Sequence, residues 1–247
     1  YRGDLDAADA DARKADALLD SLGNGLQRKS LEPQMQRVEV LLIEEQATQA
    51  VAQTDSVIAE ERARGDSRCD IAWSELQSSR AVLLGQPALQ AAVISQQAID
   101  DGITCHRDIV RDVTVTLAQL EHGRALAAIG DVQGAQAAYA KAEAMNARTH
   151  ADDPLSWPLY LIESMRLAAA LDHKDDAVGD ARALITALDR AEAVPMHPWR
   201  LEAQLWLAGS SSTPRDSAEA ARIDAALARI RNWPVGARLA DMRARAR

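Results

Sequence analysis

Leu117 to Ala147 reads LAQLEHGRALAAIGDVQGAQAAYAKAEAMNA. On each side of Gly130-Asp131, apolar and small residues recur every three to four positions. That interval is the period of a helix face, so the stretch predicts two amphipathic helices joined by a tight turn. Antiparallel helices approach closely only where a small residue on one meets a larger group on the other. Gly123 in the first helix and Ala135 in the second are the expected contact points.

Gly123, Leu126, Gly130-Asp131, Ala135, Tyr139 and Ala142 stand at the small, large, turn, small, aromatic and small positions of the tetratricopeptide repeat, which this stretch resembles. It departs from that pattern at His122, where Leu is usual, and at Ala147, where Pro is usual. With the small residue of the second helix as a ruler, equivalents fall at Ala8, Ala50, Ala91 or Ala92, Ala135, Ala177 and Ala220, about every 42 residues. The commonest form of the repeat takes about 34 residues. The longer period resembles the version in kinesin light chains and in bacterial kinases or regulators with helical-repeat extensions. The resemblance implies an all-α, right-handed solenoid of helical hairpins closed by a C-terminal capping helix.

The ruler divides the chain into repeats near 1–28, 31–64, 68–101, 107–148, 155–191 and 197–231, with a cap over 234–247, all in one domain spanning 1–247. Helix pairs are expected at 71–84 with 89–99, at 159–171 with 177–188, and at 199–208 with 218–230. The first repeat starts within itself, since Tyr1-Arg2-Gly3-Asp4 resembles a turn, so the parent protein is expected to extend further N-terminally. Arg238, Arg243, Arg245 and Arg247 suit a last helix that faces solvent and caps the stack. The connecting loops Ser21–Lys29, Gly65–Cys69, Gly102–His106 and Thr149–Pro154 are short and polar, unlike flexible linkers.

Composition agrees with helices. Alanine supplies 50 of 247 residues, aromatics are 3% and Phe is absent, which excludes a sheet core rich in β-branched and aromatic residues. A net charge of −9 and a pI near 5.1 argue against direct nucleic-acid binding, where neutralising phosphates dominates affinity. Apolar runs such as Ala81–Leu84 are too short to span a bilayer.

No catalytic constellation emerges. His106, His122, His150, His173 and His197 stand far apart, with no i, i+4 pair of the kind zinc sites use, and no metal or cofactor is expected. Asp4, Asp6, Asp9, Asp11 and Asp16 suit a solvated helix start. Cys69 and Cys105 lie in successive inter-repeat loops that stacking places on one edge, so a disulfide and two separate thiols are both open. Trp73, Trp157, Trp199 and Trp206 fall in or at the start of first helices, where repeat packing takes a large residue.

One polar feature recurs in register. Arg80, Arg124 and Arg166 each precede a ruler alanine by 11 residues, at a position that faces the concave groove in such solenoids. A planar guanidinium fork suits a carboxylate, which points to an acidic peptide or chain terminus as ligand. The competing reading is pairing along the helix, with Glu121, Glu163 and Gln77 each three residues before an arginine. Leu76, Leu120 and Ile162 are the apolar candidates for the same groove.

The function these features suggest is a non-catalytic protein–protein interaction module, the scaffold or sensor part of a larger regulatory protein. The resemblance implies a bacterial parent carrying a serine/threonine kinase or winged-helix domain. Two alternatives stand beside it. One is a small-molecule effector domain with Arg124 and His122 as its nucleus. The other is self-assembly between the acidic start and the Arg-rich end.

Overall fold

The computed structural model of the chain describes residues 32–85, 87–149, 157–193, 197–210 and 217–245, with helical positions at 7, 10, 11, 13–15, 17 and 18. Most of the repeat expected at 1–28, including Ala8, lies outside the described residues, as do His150 and Arg247. Asp11 is exposed and pairs with Lys14 at 3.2 Å.

From Glu32 onward the described helices are, in order, α1 (Glu32–Ile43), α2 (Ala47–Arg64), α3 (Arg68–Gly85), α4 (Ala88–Ile103), α5 (Asp108–Ala128), α6 (Val132–Thr149), α7 (Trp157–Ala170), α8 (Lys174–Arg190), α9 (Pro198–Ser210), α10 (Ser217–Ile230) and α11 (Pro234–Arg245). Among the described residues there is no strand. The chain is an all-α stack of helical hairpins.

Five helix ends close in the same way. A residue in the left-handed region stops the helix, and the next N–H donates back to a carbonyl five residues earlier. The stops are Glu45, Gly65, Gly130, Asp172 and Glu192. The bonds are Gln46 to Leu41 (2.8 Å) and Asp66, Asp131, His173 and Ala193 to Glu61, Leu126, Ala168 and Leu188 (2.9 Å each). Only two of the five stops are glycine, which explains why some turns carry no obvious sequence signal.

In the middle hairpin three helices meet at one glycine. A Cβ on Gly123 would lie 2.6 Å from a Leu167 methyl, 3.3 Å from the Ala135 carbonyl oxygen and 3.3 Å from the Ala138 Cβ, so α5, α6 and α7 all converge on that glycine. Ser79 holds the corresponding place on α3 and donates to the Ala91 carbonyl at 3.0 Å. Around these crossings Leu76, Leu120, Leu161, Ile162, Met165, Leu167 and Leu184 are fully buried in one apolar cluster. Trp73, Trp157, Trp199 and Trp206 pack partly buried against it.

The first helices of successive hairpins, α1, α3, α5 and α7, lie side by side, and α9 touches α11. The row then returns on itself. The Val235 N–H at the start of α11 donates to the Glu44 carbonyl at 3.2 Å, and Ile43 shares an apolar cluster with Leu201, Leu205, Val235 and Leu239. An open, extended concave face is therefore replaced by an inner face bent into a ring. The cap also differs from the solvent-facing helix expected. Val235, Gly236, Leu239 and Arg243 are buried, Arg238 turns inward, and Arg243 binds Asp224 through two nitrogens at 2.7 and 3.2 Å. A helix with an apolar stripe lowers its free energy by burying it, and the arginines flanking that stripe are carried to acids on the helices beneath.

Candidate functional site: an inner ladder of ion pairs

The 42-residue repeat places Arg80, Arg124 and Arg166 at one height on α3, α5 and α7. Each pairs along its own helix: Arg80 Nη1 donates to Gln77 at 2.7 Å, Arg124 Nη1 to Glu121 at 2.8 Å and Arg166 Nη1 to Glu163 at 3.1 Å. Ring curvature then adds contacts between helices. Glu163 also accepts from Arg124 Nη1 and, from two hairpins away, from Arg80 Nη2 at 3.4 Å. Arg166 grips Glu202 of α9 through Nε and Nη2 at 2.8 and 2.7 Å. Arg238 of α11 bridges Glu202 and Glu45 at 2.7 Å each. One chain of hydrogen bonds and ion pairs runs from Gln77 to Glu45, around the inside of the ring.

The acids in it are buried, and that sets their protonation. Burial pushes Glu121 up, only partly countered by Arg124, and the neighbouring Glu163 raises it further. Burial acts on Glu163 too, but Arg124, Arg166 and Arg80 outweigh it and hold its carboxyl below the ordinary range. Glu202 is likewise driven below that range because Arg166 and Arg238 overcome its desolvation. Glu121 keeps one oxygen, Oε2, buried without a hydrogen-bond partner.

The three arginines are not equivalent. Arg80 and Arg166 direct both terminal nitrogens to partners, whereas Arg124 directs both of its ion pairs through Nη1. Its side chain is 20% exposed and lines an open cavity of about 380 Å³ with Leu83, Ala127, Ala128, Arg166 and Ala170. The walls are small and apolar and the floor is cationic. That arrangement suits a carboxylate attached to a compact chain.

Other expected site residues are placed elsewhere. Leu76, Leu120 and Ile162 are 0% exposed and belong to the main apolar cluster, so they are core and not groove lining. His122 is half-buried against α4, its Nδ1 3.1 Å from both Ser95 Oγ and the Ala92 carbonyl, and burial lowers its pKa. Two residues along a helix is about 200°, so His122 and Arg124 point to different neighbours and form no joint nucleus. Sequence reasoning missed Glu202, which meets Arg166 and Arg238 one repeat away on each side, and the pairing of Glu45 with Arg238, which ring closure brings about. It also missed Leu83, Ala127 and Ala170, although each lies one turn after a ladder arginine.

Cys69 and Cys105 form a disulfide, Cα to Cα 4.8 Å, tying the start of α3 to the loop after α4. Among the described residues no three His, Cys, Asp or Glu groups gather as a metal site, and no helix is long and apolar enough to cross a membrane.

No protein-family model matches the chain, and none of the curated proteins does. Two solved structures are similar to it, and both are TPR-like repeat proteins. One is a singly substituted form of a Podosopora anserina putative kinesin light chain with nearly identical TPR-like repeats, 20% identical, covering 85% of this chain and 96% of that one, TM-score 0.48. The other has the same description without the substitution, 19% identical, covering 87% and 94%, TM-score 0.46.

Proposed function

We propose that the chain is a non-catalytic protein-binding module whose inner cavity takes an acidic peptide by its carboxylate. The observation that carries this is Arg124, whose Nε and Nη2 make no bond among the described residues while the side chain lines the cavity. The rest of the ladder acts as support. Glu121 and Glu163 fix the guanidinium plane, so little side-chain entropy is lost when a carboxylate docks. The alanine walls leave room for one small apolar side chain next to that carboxylate. A regulatory parent with a kinase or winged-helix domain remains the implication of the resemblance alone.

The test is anisotropy of a fluorescein-labelled Gly-Glu-Glu-Leu peptide with a free carboxylate, against the same peptide amidated. The free acid should bind at least about tenfold tighter, and Arg124→Gln should abolish the difference, as expected for one charge-assisted pair. Binding should weaken as salt rises. Equal binding of acid and amide, or equal binding by native and Arg124→Gln protein, would overturn the proposal.

A further inference from the structure

A second cavity, of about 490 Å³, opens toward the C-terminal end of the stack, between α8, α9 and α10. It exists because the last hairpin is splayed. Where α6 faces its partner with Ala135, Ala138 and Ala142, α10 presents Ile223, Leu227 and Ile230, and α9 and α10 approach at few points. The wedge has two kinds of wall. Leu201, Ile223, Ala226 and Ala193 are apolar, and Arg200 and Arg222 stand above them.

The two arginines have unused capacity. The Arg200 side chain is 12% exposed, and its Nη1 donates to Asp189 at 2.6 Å. Its Nε is buried with no hydrogen-bond partner among the described residues. Arg222 is exposed and makes no ion pair among the described residues. Asp189 and Glu219 also line the wedge, so its positive charge is small and favours a singly charged headgroup over a polyanion. A volume near 500 Å³ falls within the range of small-ligand sites, which join apolar walls to a few placed polar groups.

We propose that this wedge binds an amphiphilic monocarboxylate, with the headgroup between Arg200 and Arg222 and the tail on Leu201, Ile223 and Ala226. Such a ligand pairs with the guanidinium groups of Arg200 and Arg222 and covers the apolar floor in one step. By filling the gap between α8 and α10 it also fastens the last hairpin to the stack. The site is separate from the Arg124 cavity, so the two proposals fail independently.

Octanoate is the probe, followed by amide chemical-shift changes and by melting temperature, with acetate and 1-octanol as headgroup-only and tail-only controls. Octanoate should bind saturably, shift residues of α8, α9 and α10, and raise the melting temperature. Acetate and octanol should each bind at least about tenfold more weakly. Arg222→Gln, at an exposed position, should lose about the same factor, and Ala193→Trp should block the wedge while leaving the helical spectrum unchanged. Octanol binding as well as octanoate, Arg222→Gln binding as well as native protein, or shifts located outside the three helices would each overturn the site.

Discussion

The hairpin α5–α6 and the hairpin α9–α10 stand on the same ruler spacing, yet one is closed and the other splayed. In the first, Gly123 lets three helices meet, and the facing side of α6 is mostly alanine. In the second, Ile223, Leu227 and Ile230 of α10 meet Leu201 and Leu205 of α9 and Val235 and Leu239 of α11 through large side chains, which keep the α9 and α10 backbones further apart. The periodicity sets which helices pair. The size of the residue at the crossing sets how closely, and so whether a cavity remains between them.

The largest contrast should come from charge. Glu163→Ala leaves Arg80, Arg124 and Arg166 short of a partner inside the protein, and should destabilise by on the order of 3–5 kcal/mol in urea unfolding. Asp224→Ala breaks the pair with Arg243 at the C-terminal helix, where Asp224 is 42% exposed and water can replace it, and should lose about 1 kcal/mol. For the same reason, replacing Arg80, Arg124 and Arg166 together should unfold the chain by stranding buried acids, so a ligand role is testable only at Arg124.

Next in size is the disulfide. It closes a segment of 36 residues beside the tight hairpin, and replacing both Cys69 and Cys105 by Ser should lower stability by roughly 2–4 kcal/mol. Unchanged stability would mean that this edge is held by helix packing alone.

Packing comes third. Gly123→Leu or Ala135→Leu should destabilise by roughly 1–3 kcal/mol through overpacking, whereas Ala137→Leu and Ala144→Leu, on exposed sites, should stay within about 0.5 kcal/mol. Ala208→Leu, half-buried in the splayed hairpin, should fall closer to the exposed pair. Equal losses at Gly123 and Ala208 would erase the contrast between the two hairpins.

The smallest effect concerns protons. Burial pushes Glu61 up to about 7, although Ser74 donates to it at 2.9 Å. The native state therefore keeps this proton between pH 4.5 and 7 while the unfolded chain loses it. Stability from this group is full at low pH and is lost as pH rises through 7. Glu61→Gln should stabilise by roughly 1 kcal/mol at pH 8 and by nothing near pH 4 in thermal melts.

Much of this was legible in the sequence. The Gly123–Ala135 contact and the pairs at i, i+3 follow from local spacing, because a helix fixes which neighbours share a face. Ring closure does not. Glu45 and Arg238 are 193 residues apart and meet because small angles between hairpins accumulate, and no single residue encodes that sum. Nor does the helical period by itself tell a groove-lining position from a core one, and Leu76, Leu120 and Ile162 proved to be core. The C-terminal wedge was hidden for a different reason. Ala220 keeps the ruler's spacing, and only the larger residues after it, Ile223 and Leu227, reveal that the crossing is open.

Amide hydrogen exchange of the intact, oxidised protein at neutral pH tests the difference between the two hairpins most directly. Amides of α5 and α6 should be among the slowest, and those of α10 should exchange faster by roughly tenfold or more through local opening. Protection in α10 equal to that in α6 would contradict the account, because it would mean that bulky residues at the last crossing do not loosen the hairpin they hold apart.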